Sequence, residues 1–146
     1  MELTPQDVQW AKDTMIKTGL FTGASPESMI KLVEGLEKTH YKQNATILFQ
    51  GEISCKLYLI EKGKVSINVK KGSERHKVAE LEPGCFFGEI SLLTPRAATA
   101  TVKAEDDTDV ISLPGEAVQA LVKTDLVFAD FINAKIQERL KAQECK

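Results

Sequence analysis

The sequence has few of the residue types and long apolar runs that mark secreted, membrane or metal-binding proteins. Its three cysteines, Cys55, Cys85 and Cys145, are widely spaced, and the chain has only two histidines. They form no CxxC pair, so we expect reduced thiols and no metal site. No apolar run is long enough to span a bilayer and the start carries no secretory signal, so we expect a cytoplasmic protein without a membrane partner.

The chain also has no excess of positive charge. Nineteen Lys and Arg residues stand against 21 Asp and Glu residues, for a formal net charge of -2. Nucleic-acid binding needs clustered positive charge, so we predict no DNA partner. Little chain follows the last predicted helix, which is a second argument against an attached helix-turn-helix. No Ser/His/Asp or Cys/His constellation is visible, so we predict no catalytic residue and no enzymatic activity.

Helix signals are concentrated at the two ends of the chain, whose 146 residues suffice for one domain with its own core. A capping residue and a proline begin each of the first two helices, and the apolar residues that follow recur at helical spacing. We predict helices over 5–17, from 26 to about 35, over 115–123, and from 124 or 125 to about 142.

Between the helices, short β-rich runs alternate with Gly, Asn or Asp turns. Val65, Ile67 and Val69 alternate with polar residues, and Lys62-Gly63 is a hairpin signal because glycine adopts positive φ readily. We predict strands over 39–42, 46–49, 56–61, 64–70, 76–81, 98–103 and 108–113. Strands this numerous and evenly spaced indicate a barrel or a sandwich.

The residues that can carry binding chemistry lie within 84–99. Gly88 allows a close approach of the backbone to a ligand, and residues 90–93 can form one helical turn whose N–H groups face an anion. Glu89 can accept hydrogen bonds from sugar hydroxyls, and Arg96 can contact a phosphate through two N–H groups. A carboxylate for a ribose and a guanidinium for a phosphate suit a nucleotide monophosphate.

These residues carry a family resemblance. The runs Phe87-Gly88-Glu89-Ile90-Ser91-Leu92-Leu93 and Pro95-Arg96-Ala97-Ala98-Thr99 resemble the phosphate-binding cassette of cyclic nucleotide-binding domains. The sequence of these runs is most similar to that of the cAMP-dependent protein kinase regulatory subunits, and catabolite activator-type proteins share the pattern. The resemblance covers nearly the whole chain, and its pieces are specific in combination.

The resemblance implies a mainly β fold with flanking α-helices. We expect an eight-stranded β-roll, jelly-roll-like or a double-stranded β-helix, over 39–114, with the cassette at 84–99. An N-terminal helical segment over 1–38 precedes it, and hinge and lid helices over 115–146 follow it, all in one domain.

The resemblance also implies a role for each matching residue. Glu89 should hold the ribose 2′-hydroxyl and Arg96 the cyclic phosphate, supported by N–H groups of Gly88, Ala97 and Ala98. The other expected ligand contacts are the apolar walls Ile67, Phe87 and Ile90, with Ser91 and Thr99. The candidate lid residues are Phe131, Lys135 and Arg139. Because a Thr after the arginine favours cGMP in the family, Ala97 favours cAMP, with cGMP as the second candidate.

Spacing leaves two alignments of the cassette open. Glu89 and Arg96 are seven positions apart, whereas many family members have about nine. Val102 follows Arg96 by six positions, whereas the family usually has about four. Either the loop is two residues short and Arg96 binds phosphate, or Ala98 occupies the arginine's place. In the second case Thr99 and backbone amides would bind phosphate more weakly.

Two functions follow from these alignments. In the first, the domain is a cAMP sensor that moves its last helix and acts on an unknown protein effector. In the second, it is a degenerate member of the family that binds no nucleotide and serves as a protein-interaction or dimerisation module. The apolar stripe Phe128, Ile132, Ile136 and Leu140 is compatible with a lid, with ordinary core or with a homodimer through this helix. Glu89 and Arg96 likewise have structural alternatives, as a helix-terminal carboxylate and a solvated loop residue.

Overall fold

The computed structural model describes residues 2–142, apart from the side chains of Ile90 and of residues 139–142. The elements in chain order are α1 (Pro5–Lys17), α2 (Pro26–Glu34), β1 (Glu37–Tyr41), β2 (Thr46–Leu48), β3 (Ile53–Ser54), β4 (Lys56–Lys62), β5 (Val65–Lys71), β6 (Glu74–Leu81), β7 (Phe86–Phe87), a 3-10 turn (Glu89–Ser91), β8 (Arg96–Ala97), β9 (Thr101–Ala104), β10 (Thr108–Pro114), α3 (Gly115–Val122) and α4 (Leu126–Ala142). The helices lie at the two ends and the strands between them, as predicted.

The first two helices begin where the capping signals place them. The side chain of Thr4 accepts from the amide of Asp7, and the carboxylate of Asp7 accepts from the amide of Thr4. This reciprocal capping box satisfies two N–H groups that the first turn leaves unpaired. The side chain of Ser25 accepts from the amide of Ser28 and caps α2 in the same manner.

The described strands form three antiparallel sheets. The strand orders are β1-β10-β4-β7 and β2-β9-β5-β6, with a separate pair β3-β8. This arrangement confirms the mainly β class with flanking helices. The described residues form ten strands where eight were expected, and three of the ten contain only two residues each.

Strand β4 separates two apolar clusters, because its successive side chains point to opposite faces. Leu57 and Leu59 belong to an outer cluster with the helices, and Tyr58 and Ile60 belong to an inner cluster inside the roll. The outer cluster comprises Ala11, Met15, Leu20, Phe21, Leu32, Leu36, Leu57, Leu59, Phe86, Leu92, Ile111, Leu113, Val118, Leu121, Phe128, Ile132 and Ile136. The inner cluster comprises Ile47, Leu48, Tyr58, Ile60, Val65, Leu81, Phe87, Val102, Ala104 and Val110, bordered by Tyr41, Ile67, Cys85 and Ala98.

One predicted strand needs correction at its start. The run 98–103 was expected to be extended throughout, but β9 begins only at Thr101. The chain bends at residues 99–100, and Ala98 instead bonds to the facing turn. Its amide donates to the carbonyl of Glu52 and its carbonyl accepts from the amide of Gly51, both at 2.8 Å. The backbone of Ala98 is therefore satisfied before the new strand begins.

Candidate functional site

The turn after β7 depends on a glycine. Phe87 pairs with Tyr58 across β7 and β4, and Gly88 then adopts φ 87° before the 3-10 turn. A Cβ on Gly88 would lie 2.4 Å from the carbonyl oxygen of Lys56 and 3.1 Å from the ring of Tyr58. Both the positive φ and the close contact with β4 therefore require glycine here. The sequence predicted a close backbone approach at Gly88, and in this structure the approach is to the protein's own strand.

Glu89 is the first residue of the 3-10 turn and is only 4% exposed. It takes part in an interaction within the folded chain, as a buried carboxylate must. The turn is shorter than the predicted 90–93 helix. The amide of Ser91 donates to the carbonyl of Gly88 at 3.2 Å, so this N–H group is used within the turn. The predicted ligand contact of the Ile90 side chain lies outside the described residues.

Arg96 lies on β8, directly opposite Ser54 on β3. Side chains of directly opposed residues share one face of an antiparallel pair. The hydroxyl of Ser54 lies 3.5 Å from that of Tyr58, a member of the inner cluster, so this face points into the roll. Arg96 is therefore on the inner face at an exposed rim, and its guanidinium has no hydrogen bond or ion pair to any residue that the structure describes.

The neighbours of Arg96 follow the same alternation. Ala97 is exposed opposite Ile53, whose side chain is 67% exposed, whereas Ala98 packs against the inner cluster. Arg96 and Ala98 therefore share the inner face while Ala97 faces outward. The hydrogen bond from Ala98 to Glu52 makes Ala97 and Ile53 a non-hydrogen-bonded pair, so the N–H of Ala97 points away from β3. Thr99 is exposed in the following bend.

One of the expected main-chain donors is hydrogen-bonded within this ladder. The N–H groups of Gly88, Ala97 and Ala98 were expected to support a bound phosphate. The amide of Ala98 donates to the carbonyl of Glu52 at 2.8 Å. Strand pairing, which the sequence alone does not specify, places this bond, and a ligand contact of the Ala98 amide stays a prediction.

The apolar wall of the inner cluster contains Ile67 and Phe87, which were predicted to line the site, and Tyr58, which was not. The rings of Tyr58 and Phe87 stack with centroids 4.6 Å apart and planes at 8°. Alternation along β4 places Tyr58 on the face opposite to that of Leu57 and Leu59. That signal alone could have indicated an inward-facing tyrosine. The structure thus brings Ile67, Phe87 and Ala98 together in one cluster.

One of the candidate lid residues, Phe131, lies against the loop between α1 and α2. Phe131 contacts Gly23, where an added Cβ would lie 2.9 Å from the Cβ of Phe131. The ammonium group of Lys135 lies 5.7 Å from the centroid of the Phe131 ring and 3.7 Å from a carboxylate oxygen of Glu138. Arg139 lies outside the described side chains. The lid role of these residues therefore stays a prediction.

The apolar stripe of α4 is used within this chain. Phe128, Ile132 and Ile136 are buried in the outer cluster, and Phe128 stacks on Phe21 with ring centroids 6.1 Å apart. Leu140 lies outside the described side chains, and a homodimer through α4 stays a prediction. No helix in the described part of the chain is long and apolar enough to cross a bilayer. Within the same residues, no group of His, Cys, Asp and Glu is placed to hold a metal ion.

The roll thus combines a buried carboxylate at Glu89, an arginine on its inner face and an apolar interior. The family model "Cyclic nucleotide-binding domain" matches residues 38–125. The chain belongs to the cyclic nucleotide-binding domain family.

Two relatives and one solved structure agree with this membership. The chain is 32% identical over 123 residues to the "Cyclic AMP receptor protein" of Thermus thermophilus, covering 84% of this chain and 57% of that protein. It is 30% identical over 122 residues to the "cAMP-dependent protein kinase regulatory subunit" of Colletotrichum orbiculare, covering 84% of this chain and 31% of that protein. The crystal structure of the Thermus thermophilus Catabolite Activator Protein matches with a TM-score of 0.68 and 31% identity, covering 86% of this chain and 59% of that one. The chain thus spans less than two thirds of the length of each of these relatives.

Proposed function

We propose that this domain is a cAMP-preferring regulatory module that has no catalytic activity of its own and binds cyclic nucleotide within the roll. The observation that carries the proposal is the shared inner face of Arg96 and Ala98, together with the burial of Glu89 in the turn that precedes them in the chain. The names of the relatives, a cyclic AMP receptor and a cAMP-dependent kinase subunit, support cAMP as the ligand.

Each group then has a distinct task. Glu89 accepts the ribose 2′-hydroxyl, and Arg96 pairs with the cyclic phosphate through charge-assisted hydrogen bonds. The free N–H of Ala97 adds a main-chain donor. Ile67 and Phe87 supply apolar contacts to the sugar and the base. In the family that the chain resembles, a Thr after the arginine favours cGMP, so Ala97 at this position favours cAMP.

The strand register is compatible with Arg96 as the phosphate ligand. Leu48 pairs with Val102, and Ile53 pairs with Ala97. The segments 49–52 and 98–101, which lie between these two pairs, contain the same number of residues. The pairing therefore keeps one register from Leu48–Val102 to Ile53–Ala97. Because the side-chain period of a strand is two, moving the arginine two positions leaves it on the inner face. In the short-loop alignment the arginine side chain therefore stays on the inner face.

Binding at this site also suggests how the domain signals. The turn with Glu89 lies close to α4, and Phe128 of α4 in turn stacks on Phe21 in the N-terminal segment. A ligand moves such a helix only if it binds one arrangement more tightly than the other. We expect cAMP to favour an arrangement in which α4 is displaced from Gly23, and an effector protein to respond to that displacement.

Calorimetry tests the proposal. cAMP and then cGMP are titrated into the wild type, Glu89→Ala, Arg96→Ala and, as a matched control, Arg75→Ala, which alters an exposed arginine on β6. We expect cAMP to bind more tightly than cGMP, with a loss of about 30-fold or more in Arg96→Ala and little change in Arg75→Ala. Absence of heat with either nucleotide in folded wild-type protein would contradict the proposal and favour a protein-interaction module.

A further inference from the structure

We propose that the hydroxyl groups of Ser54 and Tyr58 form a second phosphate contact, in which both donate to one exocyclic oxygen of the cyclic phosphate beside Arg96. This inference rests on the proposed function and adds two specificity-determining residues to it. Neither residue belongs to the segment 84–99. Ser54 lies on β3 and Tyr58 lies on β4, and these strands pair with strands of that segment.

The position of Ser54 follows from the β3-β8 ladder. Ser54 lies directly opposite Arg96, so the serine side chain and the guanidinium leave the ladder on the same face. Ser54 is half-buried, whereas its neighbour Ile53 is 67% exposed on the opposite face. The arginine therefore reaches toward a ligand across a short polar side chain.

Tyr58 is held rigidly beside this pair. Its ring stacks on Phe87 at 4.6 Å, touches Gly88 and is only 8% exposed. Its hydroxyl lies 3.5 Å from that of Ser54. The ring therefore runs from the turn that carries Glu89 to the ladder that carries Arg96. A ligand that spans Glu89 and Arg96 must pass this ring.

The two hydroxyls have unused hydrogen-bonding capacity. Their separation of 3.5 Å is longer than the usual O–H···O distance of about 2.7–2.8 Å. Within residues 2–142, neither hydroxyl has a further hydrogen-bond partner. Each hydroxyl has one proton to donate, and a single oxygen placed between them can accept both. An anionic oxygen that also pairs with Arg96 fits this arrangement best, because charge-assisted bonds are the stronger ones.

The test compares cAMP with its two phosphorothioate diastereomers, in each of which sulfur replaces one exocyclic oxygen. Binding is measured by calorimetry for the wild type, Ser54→Ala, Tyr58→Phe and Ser54→Thr. Ser66→Ala is the control because it removes another buried hydroxyl of the roll, 1% exposed, away from the β3-β8 ladder. A thermal melt of each variant verifies folding.

We expect Ser54→Ala and Tyr58→Phe each to weaken cAMP binding about ten-fold, with Ser54→Thr and Ser66→Ala near the wild type. For one diastereomer the penalty of Ser54→Ala should shrink to about two-fold or less, because sulfur is a poor acceptor and the contact is already lost. Wild-type affinity in both Ser54→Ala and Tyr58→Phe, alongside weakened binding in Arg96→Ala, would overturn this inference and leave the proposed function intact. An equal penalty for all three ligands would also overturn it. Failure of the wild type to bind cAMP would overturn both.

Discussion

At the scale of single residues, the most unusual feature outside the site is a buried cluster of three charged side chains. The ammonium group of Lys38 lies 3.1 Å from Asp7 Oδ2 and 3.2 Å from Glu61 Oε1, and all three side chains are less than a tenth exposed. Although Nζ is close, Oε1 of Glu61 accepts no well-aligned hydrogen bond from any described residue. Two carboxylates thus share one ammonium group in a region of low dielectric.

The two carboxylates respond to this environment in opposite directions. The hydrogen bond with Glu61, followed by that from the Thr4 amide, holds the pKa of Asp7 well below its ordinary value. Burial first, and then the hydrogen bond with Asp7, raises the pKa of Glu61 above its ordinary value of 4.5. The contribution of Asp7 to stability is lost as the pH falls below about 3.8. The contribution of protonated Glu61 is lost as the pH rises through its raised pKa.

We therefore predict that Glu61→Gln stabilises the protein at neutral pH. The amide mimics the protonated acid, donates to Asp7 and removes the excess buried charge, for a gain of about 1 kcal/mol at pH 7. Urea unfolding at pH 7 and at pH 4.5 measures the gain, which should shrink at the lower pH as the wild-type acid takes up its proton. Glu37→Gln, on the exposed end of β1, is the control. Equal effects of Glu61→Gln at both pH values would contradict the raised pKa assigned to Glu61.

How far single site residues could be predicted depended on their distance in sequence from their partners. Glu89 and Arg96 came from one continuous motif, in which spacing and residue chemistry are visible together. Ser54 and Tyr58 did not, because their relation to Arg96 exists only through the β3-β8 pairing. The hydrogen bond of the Ala98 amide could not be predicted for the same reason, since its acceptor Glu52 lies in a distant turn.

At the scale of elements, one carboxylate connects the starts of two helices. Asp125 Oδ1 accepts from the amide of Phe128 at 3.1 Å and thereby caps α4. Asp125 Oδ2 accepts from the hydroxyl of Ser28 at 2.8 Å and from the amide of Ser25 at 3.4 Å, at the start of α2. These bonds, the Phe128 amide first, lower the pKa of Asp125. The candidate lid helix is therefore fastened to the N-terminal segment at its first turn.

We predict that Asp125→Ala lowers the urea midpoint of unfolding more than Asp125→Asn does, because asparagine still caps a helix and alanine does not. Asp130→Ala, an exposed position on α4, is the control and should have little effect. The difference between wild type and Asp125→Ala should fall as the pH drops below 3.8 and the wild-type carboxylate takes up its proton. Equal midpoints for Asp125→Ala and Asp130→Ala would show that the bridge contributes nothing.

The predictability of elements depended on their length and on local signals. Helix α1 was predicted at 5–17 and is found there, because a cap, a proline and an apolar stripe all mark it locally. Strands β4 and β5 were found within one residue of prediction at each end, since alternation is clear over seven residues. Strands β3, β7 and β8 were missed because two residues show no periodicity and are defined only by their partners.

At the scale of the whole molecule, the outer and inner clusters share strand β4. If either cluster unfolds alone, one face of β4 becomes exposed. Leu57 and Leu59 face the helices, while Tyr58 and Ile60 face the proposed ligand site. All four side chains are at most 8% exposed. A ligand bound in the roll should therefore stabilise the helical layer as well, because stabilising one face of β4 stabilises the strand that both layers need.

Trp10, the one tryptophan in the sequence, lies on α1 and packs against the outer cluster, so its fluorescence reports unfolding remote from the site. We predict that cAMP at about 100 times its Kd stabilises the fold by about 2.7 kcal/mol. This raises the Tm by about 5–10 °C for a chain of this size. The rise should be equal whether Trp10 fluorescence or far-UV circular dichroism follows the melt. Acyclic 5′-AMP is the control and should shift neither curve. If cAMP shifts the circular dichroism transition but leaves that of Trp10 in place, the two layers are separate cooperative units, and the coupling through β4 is refuted while nucleotide binding stands.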